Sequence, residues 1–280
     1  MTIAKQLALP ETSFGLDKVR PDFLFLSVVA RSLVLWEQVE ASPDWIEEQI
    51  PKFVRDFFIR LRKKINGDTE VEKCKSNVDT KAMKEAHAFI VSGACFSLGL
   101  RFAGTSNELA RDSVFAKVVE LQKYRDDSDP TSMRLRPQRP IIEMCIGSAA
   151  MALAMIMAGT GDLKTLRLLK MLRWRCDEGV KYGGHMAINA AVGLLFLGGG
   201  ACTLGQEPED IAALLAAFYP RFPSSVQDNQ YHLQALRHLY ALAVKQRSIE
   251  AVDVESGEKI FVPIQVSLNM YSYFDALLES

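Results

Sequence analysis

Apolar residues recur at helical spacing along most of the chain. In the stretch from Asp22 to Val39, Phe23, Leu26, Val29, Ala30, Leu33, Leu35 and Trp36 return near every third or fourth position, which predicts a helix. Ser42-Pro43 reads as an N-cap followed by a first-turn proline, opening a short helix from Pro43 to Gln49. Pro51 opens another, running to about Lys64. Asn66-Gly67 has turn chemistry, and the polar stretch from Gly67 to Ser76 reads as a loop. Residues 1–20 show no period and read as a flexible lead-in.

Beyond residue 78 one pattern is written three times. Ser92 to Thr105, Gly147 to Thr160 and Met186 to Gly199 are each rich in small residues, apolar nearly all round, and closed by a glycine turn. In register, Gly99, Ala154 and Gly193 share one column, and Gly104, Gly159 and Gly198 share another. Each apolar helix (A) has a more polar companion (B). In copy one, helix A spans about Thr80 to Ala103 and helix B about Glu108 to Tyr124, with Val114, Val118, Val119 and Leu121 on one face. In copy two, helix A runs from Ile141 to Ala158; Asp162 caps helix B, whose apolar set is Leu163, Leu166, Leu169, Met171, Leu172 and Trp174. In copy three, helix A runs from about His185 to Leu197 and helix B from Pro208 to Tyr219.

The stretch from Arg125 to Pro140, rich in aspartate, arginine and proline, reads as a disordered insertion between copies one and two. Without it the two intervals between copies become similar, and a two-helix unit of about 35–45 residues belongs to the α-solenoid class. A further helix is expected from Asp228 to Val244, with Leu233, Leu236, Leu239 and Tyr240 on one face. Then the period switches to two: Ala251 to Val254, the Ser256-Gly257 turn, and Lys259 to Val266 read as a β-hairpin, with Pro263 confining its second strand to an edge.

The expected fold is therefore all-α: an α-solenoid or toroid arc of helix-pair repeats with a small C-terminal β-hairpin. Its parts are a lead-in (1–20), N-terminal helices (21–65), the repeats and following helix (78–246), and the hairpin with its tail (247–280). Small residues let neighbouring A helices approach closely, so the stacking is expected to depend on Gly93, Gly99, Gly104, Ala154, Gly159, Gly193 and Gly198. Glycine inside a helix costs about 0.5–1 kcal/mol against alanine, which close packing must offset. A leucine at Gly193 is expected to overpack the stack and destabilise the fold by about 1–3 kcal/mol. The closing glycines are expected at C′, in the left-handed conformation.

Composition narrows the function classes. Hydrophobic residues make up 49% and charged residues 24% of 280 residues, as in a globular protein, and the net charge of −1 gives no global attraction to nucleic acid or an anionic membrane. The five cysteines form no Cys-x-x-Cys pair and two lie in apolar helices, the usage of a reducing compartment. Met144 to Gly161 is uncharged and long enough to graze the membrane-span limit. Each A helix is followed by a charged amphipathic one, however, so burial within the protein is the expected reason.

Candidate chemistry is sparse. Gly198-Gly-Gly200 ends a helix instead of opening one, and no lysine follows, so it is not a phosphate loop. His87, His185, His232 and His238 do not have the spacing of a metal site. Glu47-Glu48, Glu207 and Glu209 stand at helix starts, where the dipole favours them. No nucleophile elbow occurs. The expectation is a non-catalytic interaction surface with no cofactor and no metal.

The A helices resemble proteasome/cyclosome repeats, whose alanine- and glycine-rich helix ends in Ala-Gly-Thr-Gly or a variant. Ala158-Gly-Thr-Gly161 matches that ending, and Ala103-Gly-Thr105 nearly so. The repeats occur in the proteasome base and in the scaffold of the anaphase-promoting complex. Gly93 to Gly104, and Gly193 to Gly200 with Thr203-Leu204 and Ile211 to Leu215, are similar to the second group. So are Tyr219-Pro-Arg-Phe-Pro223, Asp228-Asn229, Tyr231 to Tyr240, Val252-Asp-Val254, Val19 to Leu24 and Leu33 to Trp36. The resemblance covers about residues 17–270. It implies a scaffold inside a cell-cycle ubiquitin ligase of the nucleus and cytoplasm, with a cullin–RING module, tetratricopeptide subunits and a substrate receptor or coactivator as partners. The alternative is a proteasome-base scaffold. Family members are far longer, so ring closure is not expected from this chain alone, and an exposed apolar face is expected near the first repeat.

Overall fold

A computed structural model describes residues 8–16, 19–65, 80–125, 130–177, 179–223, 225–228, 235–247 and 251–260. The turn at Asn66-Gly67 and the loop after it, residues 126–129, most of the first half of the helix expected from Asp228, and residues 261–266 of the hairpin lie outside them. The protein is mostly helical, with two small antiparallel sheets of two strands each. It divides into two compact units, residues 1–246 and 247–280.

The first unit contains α1 (Ser13–Leu16), α2 (Pro21–Val34), α3 (Pro43–Glu48), α4 (Lys52–Ile65), α5 (Thr80–Arg101), α6 (Glu108–Lys123), α7 (Pro130–Leu135), α8 (Arg139–Ile156), α9 (Leu163–Arg173), α10 (Tyr182–Leu195) and α11 (Pro208–Phe218). Local chemistry explains several starts. Pro21 and Pro43 occupy first turns, where a missing N–H loses no helical bond. Ser42 Oγ accepts from the Trp45 N–H at 3.1 Å. Glu207 and Asp210 form a reciprocal capping box at the start of α11.

Four helices lie side by side in one row. α2 packs on α5, α5 on α8, and α8 on α10. Every residue of α5 from Ala88 to Leu100 is buried, as is every residue of α8 from Cys145 to Ile156. A helix is apolar on all sides when neighbours cover all sides. α6 packs against α5 and α8, and α9 against α8 and α10. α11 touches α5, and just beyond α11 the Tyr219 ring stands edge-on to Phe25 of α2 at 5.7 Å. Among the described residues α8 is the one helix long and apolar enough to cross a membrane by length and composition, and 78% of it is buried inside the fold.

Several elements differ from the sequence reading. α2 carries no small-residue signature, yet it begins the row. Residues 8–16 are not a loose lead-in: Leu9 and Leu16 are buried and α1 rests on α5, so two anchored side chains suffice where no period exists. The stretch 125–140 is not disordered in its described part. α7 packs on α4, Leu135 is buried, and α8 begins at Arg139. Arg125 forms ion pairs with Glu143 and Asp177, holding the entry to this stretch against α8 and the end of the second repeat.

The expected helix before residue 244 is of 3-10 type over Ala235–Ala243. Tyr240 and Ala243 fall three residues apart, the spacing a 3-10 helix stacks on one edge, and Tyr240 stacks on Phe218 of α11 at 5.7 Å. It leads into β2 (Val244–Gln246), which pairs antiparallel with β1 (Cys202–Leu204), placing Thr203 opposite Lys245. In the second unit, Ala251–Val252 pairs antiparallel with Lys259–Ile260. The Asp253 carboxylate organises the intervening turn, accepting from the Ser256 N–H at 3.2 Å.

Candidate interaction surface

The turns that close α5 and α8 are built bond for bond alike. Thr105 Oγ1 donates to Phe102 O at 2.8 Å, and Thr160 Oγ1 donates to Met157 O at 2.8 Å. The Asn107 N–H donates to Thr105 Oγ1 at 3.2 Å, and the Asp162 N–H to Thr160 Oγ1 at 3.1 Å. Asn107 and Asp162 then cap the following helices, accepting from the Ala110 and Thr165 N–H groups at 3.0 and 2.8 Å. Gly104 and Ser106 sit at φ +68° and +59°, matched by Gly159 and Gly161 at +70° and +61°. Ser106 is the one non-glycine residue at positive φ among the described residues.

Besides the bonds to their own helix ends, such as those from the Thr105 N–H to Phe102 O and from the Thr160 N–H to Met157 O at 3.2 Å each, these turns reach a neighbouring helix. The Gly104 N–H donates to Met155 O at 2.8 Å and the Ser106 N–H to Ile156 O at 3.0 Å. One repeat on, the Gly159 N–H donates to Leu194 O at 2.9 Å and the Gly161 N–H to Leu195 O at 3.0 Å. Carbonyls at a helix C-terminus lack intrahelical donors. Here each turn satisfies those of the next helix in the row. The closing glycines take the expected left-handed backbone, but at Gly104 and Gly159 it aims the N–H across the seam instead of at a carbonyl of their own helix.

The glycine columns separate in the same geometry. A Cβ placed on Gly99 would lie 2.6 Å from Ala152 Cα and 2.8 Å from Met155 Cε, so only glycine fits. On Gly93 it would lie 3.0 Å from Phe25 O. Ala154 is fully buried. Gly193 overturns the close-packing expectation, because a Cβ there meets nothing within 4 Å. The reason is position: α10 is the last described helix of the row, and Gly193 faces outward beside exposed Asn189 and Phe196. Gly198 has φ +58°, and Cys202 Sγ would lie 2.6 Å from its Cβ. The other end of the row is also apolar outside: Phe23, Leu26 and Val34 of α2 are 49%, 41% and 46% exposed.

A second clasp ties the first turn to β1. Thr203 Oγ1 donates to Gly104 O at 3.0 Å, and Gln206 Nε2 donates to Arg101 O at 3.1 Å. The sequence matches the family described as APC1 fifth domain over residues 1–245, ending one residue short of the boundary of the first compact unit. The chain belongs to the anaphase-promoting complex subunit 1 family. It is 38% identical to anaphase-promoting complex subunit 1 of Arabidopsis thaliana over 275 residues, covering 95% of this chain and 16% of the relative. The subunit of the same name from Homo sapiens is 37% identical over 279 residues, 99% of this chain and 14% of the relative. A relative from Emericella nidulans named negative regulator of mitosis is 37% identical over 266 residues, 95% of this chain and 12% of the relative. The chain spans about a sixth or less of the length of these family members.

Among the described residues of this family member, no cluster of three His, Cys, Asp or Glu side chains could hold a metal ion. The charged groups instead join elements. Arg111 reaches the Asp162 cap at 3.5 Å and Lys164 reaches Asp112 at 2.8 Å, so ion pairs link the two B helices as backbone bonds link the A helices. Hydrogen bonds from Arg111 and then Lys164 hold the Asp112 carboxyl below its usual range. His87 lies tilted against Phe58, with ring centroids 4.3 Å apart, and burial lowers its pKa to about 4. Burial pushes the Cys95 and Cys145 thiols up to about 12. One face was misread from the sequence: Leu163, Met171 and Trp174, assigned to the apolar set of helix B, are 64%, 53% and 78% exposed.

Proposed function

We propose that the chain is a non-catalytic scaffold element of the anaphase-promoting complex, built as an arc of proteasome/cyclosome helix-pair repeats. The observation that carries this reading is the seam. The same pair of turn amides meets the same pair of helix-end carbonyls in two successive repeats, which is how a stack grows by one repeated operation. The repeats and following segment (78–246) form the working part, preceded by the helices of 21–65 and followed by the hairpin and tail of 247–280. In the cell the chain acts in nucleus and cytoplasm. It helps place the cullin–RING module, the tetratricopeptide subunits and the substrate receptor or coactivator, and performs no bond-making step itself.

The test is co-purification of the tagged chain from dividing cells. Recovery of cullin, RING and tetratricopeptide subunits supports the proposal; recovery of proteasomal ATPases instead overturns it. In addition, the purified chain mixed with ubiquitin and its activating and conjugating enzymes should form no conjugates above the level without it. Conjugation that depends on the chain would contradict the non-catalytic role.

A further inference from the structure

The outer face of α9 combines two features that a solvated helix surface does not need. From Leu163 to Cys176 the sequence carries five basic residues and no acidic one, in a chain of net charge −1. Two of the five are used inside the fold: Lys164 pairs with Asp112 at 2.8 Å and Arg175 with Glu143 at 3.2 Å. Arg167, Lys170 and Arg173 are exposed, and no carboxylate of the described residues pairs with them. Between them stand Met171 and Trp174, among the most exposed large apolar side chains of the described residues.

The register of α9 is locked. Thr165, Leu168, Leu169 and Leu172 are buried, so the helix cannot turn to hide Trp174 without exposing three leucines. Arg167, Met171 and Trp174 follow one another at spacings of four and three, the neighbour rows of a helix surface. Tryptophan, methionine and arginine are enriched at the cores of protein interfaces.

We propose that this face of α9 docks an acidic segment of another protein, whose carboxylates pair with Arg167, Lys170 and Arg173 while its apolar side chains cover Met171 and Trp174. Charge decides the occupant. The basic strip is confined to one helix of 11 residues, about 16 Å long, and Asp162 and Asp177 stand at its two ends. A strip bounded by carboxylates suits a short acidic peptide better than the extended polyanion of a nucleic acid or the sheet of charge on a lipid bilayer. The inference rests on α9 alone and does not depend on the scaffold reading.

The test uses the purified full chain and a fluorescein-labelled helical peptide with glutamate at every third or fourth position and leucine and phenylalanine between. Binding is expected to shift the tryptophan emission to the blue, a change absent from Trp174→Phe. It should weaken several-fold as salt rises from about 0.05 to about 0.3 M, since exposed charge pairs are screened. The pair Arg167→Glu and Arg173→Glu, and separately Trp174→Ala, should each weaken it about tenfold or more, with circular dichroism melts unchanged. A peptide with glutamine for glutamate should bind at least about tenfold more weakly. Equal binding of the glutamine peptide, no loss in either variant, no binding of the acidic peptide at all, or tighter binding of a single-stranded oligothymidine or of phosphatidylserine vesicles would each overturn the proposal.

Discussion

Gly99 and Gly193 occupy the same column of the repeat, yet alanine should act on them with opposite sign. At Gly99 the new methyl would lie 2.6 Å from Ala152 Cα. Carbon atoms pack comfortably at about 3.5–4.0 Å, so α5 and α8 must part by about 1 Å or distort locally. Overpacking of this kind costs about 1–3 kcal/mol. Alanine's helical preference over glycine returns about 0.5–1 kcal/mol. The net expectation for Gly99→Ala is a loss of about 1–2 kcal/mol, set by the first effect. At Gly193 nothing lies within 4 Å, so only the second effect operates. Gly193→Ala should therefore gain about 0.5–1 kcal/mol, and even a leucine should be tolerated there. Urea unfolding followed by far-ultraviolet circular dichroism gives both numbers from the midpoints, provided the slopes match wild type. A Gly99→Ala variant as stable as wild type would refute the close approach of α5 and α8. A destabilised Gly193→Ala would refute the open face of α10.

Ser106→Gly should stabilise the chain by a few tenths of a kcal/mol to about 1 kcal/mol, because Ser106 holds φ +59° where the matching turn has Gly161; a melt lower than wild type would contradict this. His87 has a folded pKa of about 4, below its usual value, so the unfolded chain binds the extra proton between about pH 4 and 6.5. Its contribution is full above that window and is lost as pH falls through it. The drop from 6.5 to about 4 corresponds to a loss of at most about 3 kcal/mol. His87→Phe should flatten the stability profile in that window, where glutamates 47 and 120, Lys117 and Arg62 also act on the site; an unchanged slope would sink the assignment. Exposed Cys176 should alkylate rapidly at pH 8, whereas buried Cys95 and Cys145 should react only on unfolding, as read by peptide mass spectrometry; early labelling of Cys145 would contradict its burial.

How far the sequence reached depended on the kind of signal. Helices with strong periods and caps were legible: Ser42 and Asp162 accept the hydrogen bonds their positions imply. The first two A helices were legible as copies because Ala-Gly-Thr turns recur in register at 103–105 and 158–160. What the closing glycines do was not, since their partners lie on another helix, 51 residues away for Gly104 and Met155 and 35 for Gly159 and Leu194. Gly193 looked like Gly99 because the column is a property of the repeat, while the neighbour is a property of place in the row. α2 was missed as a row member because it turns bulky buried residues, Phe25 and Val28, toward Gly93 of α5 and carries no glycine of its own. Met171 and Trp174 fitted an apolar set by composition; Leu168, Leu169 and Leu172 set the register that turned them out. Residues 125–140 read as disordered because ion pairs such as those of Arg125 join positions far apart in sequence.

Turn amides reach the next helix of the row at both seams, from Gly104 and Ser106 and again from Gly159 and Gly161. Native-state hydrogen exchange reads those amides one by one. The Gly104, Ser106, Gly159 and Gly161 amides should exchange as slowly as the core of α8, while the Gly198 amide, in the turn after the last described helix of the row, should exchange orders of magnitude faster. Fast exchange at Gly104 and Ser106, at the rate of an exposed loop, would contradict the seam and with it the stack.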